Sequence, residues 1–193
     1  MSARMLIAAL VGTALMYVWA TVTHMSPLGM TGLNLSRMDP ATVEALKTAT
    51  GDKPGLYMFP AYTEAELADM KAMEAKQASS PSGIVLYSPA GEKGMSATQL
   101  VGELVLEFVE MLLALWLLSK AGVAAFGRRV AFMAVIGVLA AMTTNAHYFL
   151  WYRYPGDYTL AVMLIEFGKY VAGGIGAALM LGWLEKRSAA PPA

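Results

Sequence analysis

The 193-residue chain is 57% hydrophobic and only 15% charged, with 14 basic and 14 acidic residues and no formal net charge. This is too apolar for an ordinary soluble domain and points to a multi-pass membrane protein, while the neutral balance argues against nucleic acid as a partner. The absence of cysteine excludes disulfides, zinc–thiolate and iron–sulfur ligation, and a cysteine nucleophile. Methionine is abundant, at 15 residues, but scattered, which suits flexible packing of apolar helices better than copper handling.

Met5 to His24 is the first apolar run, preceded by Arg4 and carrying Tyr17 and Trp19 near its far end. These interfacial aromatics, with no clean A-x-A site after them, predict an uncleaved transmembrane helix within residues 1–24. Thr13, Tyr17, Thr21 and His24 share one face, as expected for interhelical hydrogen bonding.

Residues 25–97 are the hydrophilic part. Asp39–Pro40 reads as an N-cap and first helical residue, opening a helix to about Thr50. Thr63 with Glu66 is a capping box for a helix running to about Gln77. GLYMFP from Gly55 and GIVLYSP from Gly83 are short strand candidates. An insert of this size is marginal alone and is expected to pack on a membrane face or a partner.

Ser96 with Gln99 forms another capping box. It opens a span over 98–119 that carries Glu103, Glu107 and Glu110. At about 100° per residue these three carboxylates occupy one narrow face, with Leu, Val, Met, Phe and Trp elsewhere. A third span over 129–152 is apolar in its first half and bears Thr143, Thr144, Asn145 and His147 in its second. Pro155–Gly156–Asp157 turns the chain into a fourth span over 158–184, with Glu166, Lys169 and Tyr170 inside it. Gly168, Ala172 and Gly176 form a small-residue row there that permits close helix contact. Residues 185–193 read as a polar, fraying tail.

The fold class expected is an all-α integral membrane protein of four transmembrane helices, with a small α/β extracytoplasmic insert between the first two. Arg4, Lys120, Arg128, Arg129, Lys186 and Arg187 then fall on one side, opposed only by Glu185. The positive-inside rule makes that side cytoplasmic, with both termini inside a bacterial inner membrane.

At about 1.5 Å per residue, Glu107 and Glu110 lie roughly 13 and 18 Å from the outer end of their helix, and Glu166 and Lys169 roughly 12 and 16 Å from theirs. Ionisable groups at such depth persist where a partner charge, a metal or water stabilises them. Pairing of Lys169 with a carboxylate of the second span follows, within a polar network that includes Glu110, Asn145 and Tyr170.

The leading functional expectation is a non-catalytic accessory or scaffold subunit of a membrane complex, with the bilayer and other subunits or further copies of the chain as partners. An alternative is a metal site of Glu103, Glu107, Glu166 and His147 holding Fe, Zn or Mn, although the Glu-x-x-His pairs of dinuclear carboxylate proteins are missing. His24 and His147 are otherwise candidate axial ligands for haem. A second alternative is cation or proton transport along the carboxylates. No catalytic motif stands out, and an enzyme acting on a lipid or quinone is the least supported reading.

Overall fold

A computed structural model describes residues 2–91 and 95–189. Its elements are α1 (Ala3–His24), α2 (Pro40–Thr50), β1 (Gly55–Phe59), α3 (Glu64–Leu67), α4 (Met70–Ser79), β2 (Gly83–Tyr87), α5 (Ala97–Lys120), α6 (Phe126–Tyr152) and α7 (Gly156–Ala189). They fall into two compact units. One comprises Met1–Leu33 with Met95–Ala193, the other Asn34–Gly94.

The first unit holds the four long helices. Among them α1, α6 and α7 are long and apolar enough to cross a membrane. The chain therefore has the character of a multi-pass membrane protein. The fourth, α5, is 24 residues long and equally well started: Ser96 accepts from the Gln99 backbone, and the Gln99 side chain accepts from the Ser96 backbone. Its three glutamates set it apart from the other three.

α7 packs along α1 on one side and α6 on the other, and α1 also packs along α5, whereas α5 and α6 meet only slightly. Ala8, Ala9, Met16, Met111, Leu115 and Met133 are buried where these helices meet. Lipid tails are as apolar as these side chains, so close steric fit rather than transfer from water must hold such contacts. The small-residue row of α7 supplies that fit. A Cβ at Gly168 would run into the Trp19 ring, and one at Gly176 would lie 2.6 Å from Cδ1 of Leu15. Trp19 also donates its indole N–H to the Ile165 carbonyl at 3.0 Å. It thus fastens α1 to α7.

The helix ends differ from those expected. α6 starts at Phe126, three residues early. Instead of fraying at 185, α7 runs through Glu185 to Ala189, with the Arg187 guanidinium 4.5 Å from the Trp183 ring centre. Glu185 is held in that last stretch by an ion pair with Arg129. The rest of the expected tail, 190–193, lies outside the described residues.

The second unit pairs β1 with β2 antiparallel, Tyr57 opposite Val85. Tyr57 donates its hydroxyl to the Lys53 carbonyl, and Tyr87 donates to Asp52. The helix expected from Thr63 to Gln77 is two helices. Asp69 accepts from the backbone N–H groups of Lys71 and Ala72, so it caps a new helix instead of continuing the old one. Thr50 is the one buried residue among those described in this unit, which makes its core thin for its length.

Candidate functional site

The polar residues of α5 and α7 meet in the interior of the helical unit. Lys169 is 6% exposed. Its ammonium lies 3.0 Å from a carboxylate oxygen of Glu166, one turn away on α7, and 3.3 Å from one of Glu110 on α5. The same ammonium sits 5.7 Å from the centre of the Tyr170 ring, within cation–π range. Tyr170 is buried, and its Cβ fits against α6 because Gly137 has no side chain. α5 and α7 are joined here mainly by side chains, since their backbones have little direct contact. The expected pairing of Lys169 with a carboxylate of α5 is present, and Glu110 is the partner.

Glu107 is placed differently. It is fully buried, and neither carboxylate oxygen has a hydrogen-bond partner among the described residues. Lys169, Glu103, Glu110 and Glu166 are the charges that act on it. Thr13 of α1 is 3% exposed, and its hydroxyl is likewise unpartnered. Both flank the contact at which a Cβ on Gly12 would touch the Met111 sulfur at 2.9 Å: Thr13 follows Gly12, and Glu107 is one turn before Met111. Buried polar atoms are ordinarily satisfied, and those that are not call for a proton, a water or an ion.

Glu103 is exposed, like every residue of α5 from Ala97 to Leu106. His24 and His147 are exposed as well, and Nδ1 of His147 lies 2.7 Å from the Thr143 carbonyl of its own helix. Asn145 donates its amide to the Ala141 carbonyl, again within one helix. Of the residues singled out in the sequence, Glu107, Lys169 and Tyr170 are buried and Glu110 and Glu166 reach Lys169 from half-buried positions; Glu103, Asn145, His24 and His147 are not part of that cluster. Among the described residues, no three His, Asp or Glu side chains converge as metal ligands would.

Chemically, the cluster offers one buried ammonium among three carboxyl groups, of which Glu107 is fully buried and Glu110 and Glu166 half-buried. Such an arrangement can lock two helices together, and it has spare oxygen capacity for a proton or a small cation. Sequence reasoning missed Arg129, which is 5% exposed although it looks like one of the surface bases. The available signal was Glu185, the lone acid opposing that basic group. Compared with known proteins, the chain matches no family model, no curated protein and no solved structure.

Proposed function

We propose that α5 is a fourth membrane span and that the protein is a non-catalytic subunit of a membrane assembly, its helices held in register by the Lys169 cluster. The observation that carries this reading is Glu103. It lies six residues into α5, about 9 Å along the axis, exposed on a surface that also displays Leu100, Leu104, Val105 and Leu106. A carboxylate facing lipid at that depth is costly, and a helix of another subunit or another copy would cover it. Every residue of α5 from Ala97 to Leu106 is exposed, which leaves this stretch open to such a helix.

The test is extraction in mild detergent at native abundance, followed by mass measurement of the intact particle. The reading expects a species heavier than one chain, weakened by Glu103→Lys. A single chain for the wild type, with Glu103→Lys inserting equally well, would overturn it.

The buried, unpartnered Glu107 favours a second reading, in which the cluster takes up a proton or monovalent cation. Proteoliposomes holding the protein would then dissipate an imposed proton or sodium gradient, and those holding Glu107→Gln would not. Equal leak from both would leave the cluster a purely structural role.

A further inference from the structure

At the end of the helical unit remote from His24 and His147, the start of α1, the end of α5, the start of α6 and the end of α7 surround a cleft of about 230 Å³. Its polar lining is Ser2, Arg4, Ser119, Arg129 and Glu185, and Leu115, Leu118 and Leu181 are among its apolar walls. Arg129 is the built part of it. The Nε–H donates to the Val123 carbonyl at 3.3 Å and one Nη2–H to Glu185. A guanidinium has five N–H donors; the other three meet no acceptor among the described residues, and Arg129 lines the cleft. Arg4 is exposed and forms no ion pair among the described residues. Two guanidinium groups against one carboxylate leave the cleft with a net positive charge. The starts of α1 and α6 meet the carbonyl ends of α5 and α7 there, so the helix dipoles oppose one another and the positive charge rests on the two guanidinium groups.

We propose that this cleft binds a phosphate group, presented either by an anionic phospholipid headgroup or as free phosphate. Planar guanidinium forks match phosphate oxygens geometrically. Glu185 holds one edge of Arg129 and so fixes the direction in which its free edge points. A water occupies about 30 Å³ in the liquid, so the cleft has room for a phosphate and part of its ester. The leucine walls suit the glycerol and first methylenes of a lipid better than they suit an inorganic ion. The lipid source rests on the membrane reading of α1, α6 and α7; the phosphate site itself does not.

The experiment uses the full chain in detergent. Native mass spectrometry would compare retention of phosphatidylglycerol with retention of phosphatidylcholine of equal chain length. Thermal unfolding would compare millimolar inorganic phosphate with chloride at equal ionic strength. Selective retention of phosphatidylglycerol assigns the lipid source, and stabilisation by phosphate assigns the free ion. Absence of both effects would overturn the proposal. Arg4→Gln should weaken the selective effect about fivefold. Lys120→Gln, at the same end but outside the cleft, should leave it unchanged; an equal loss there would mean diffuse surface charge and would also overturn the proposal. If Arg4→Gln does not fold, Glu185→Gln gives an independent reading: the amide oxygen still accepts from Arg129 and keeps its orientation, while loss of the competing negative charge should raise retention. A fall or no change would count against the site.

Discussion

The ammonium of Lys169 meets Glu166 at 3.0 Å and Glu110 at 3.3 Å while only 6% exposed, so removing it strands two carboxylates together. Breaking a buried pair from one side costs about 3–5 kcal/mol, and Lys169→Met should lower the unfolding temperature in detergent accordingly. Adding Glu110→Gln should recover part of the loss, with a coupling on the order of 1–3 kcal/mol in a double-mutant cycle. The corresponding cycle with Glu107→Gln should show much weaker coupling, because Glu107 is not in ion-pair contact with Lys169. Equal coupling in both cycles would contradict the assignment. Depth along the helices was enough to predict that Lys169 pairs with a carboxylate of α5. The choice between Glu107 and Glu110 was not legible. On a helical wheel they lie about 60° apart, and which neighbour each one meets depends on the rotation of α5 against α1 and α7. Glu103 falls between them on the wheel yet is exposed, because no helix among the described residues covers the first ten residues of α5.

Among the elements, the contact between α1 and α7 rests on small residues. Gly176→Leu would drive a side chain into Leu15, whose Cδ1 lies 2.6 Å from the Cβ position. It should destabilise the protein by about 1–3 kcal/mol. Gly182→Leu, six residues further along, meets nothing within 4 Å and should be nearly neutral in the same thermal assay. The small-residue row was visible in the sequence, but α1 as its partner and Trp19 as its fastener required the three-dimensional packing.

In the second unit, Lys76, then the Thr63 backbone and hydroxyl, hold the Glu66 carboxyl at about 2, below its ordinary 4.5. A group lowered on folding contributes fully above its unfolded value and loses that contribution as pH falls through the folded one. Hydrogen-exchange protection at Leu67 to Met73 should therefore hold from pH 7 to 5 and weaken between about 4.5 and 2. Glu66→Gln should remove that pH dependence. The Thr63–Glu66 capping box was legible, whereas the break at Asp69 was not: a helix-interior Asp and a second N-cap look alike until the backbone shows which N–H groups reach the carboxylate.

For the whole molecule, the arrangement of basic residues and the convergence of four helix ends tell the same story. Arg4, Ser119, Arg129 and Glu185, far apart in sequence, line one cleft, as four alternating helices would require. Composition and the long apolar runs pointed to a multi-pass membrane protein, and α1, α6 and α7 have the length and apolarity to cross a bilayer. The crossing of α5 is the central claim, since its glutamates are costly in lipid and the Lys169 cluster pairs with one of them. The chain has no native cysteine, so the claim can be tested with single cysteines at Ala78, in α4, and Ala125, between α5 and α6. Both positions are exposed. An impermeant maleimide applied to intact cells should label Ala78→Cys and spare Ala125→Cys until the membrane is opened. If α5 does not cross, the two positions lie on the same side of the membrane, and matching labelling of both, before or only after opening, would contradict the account.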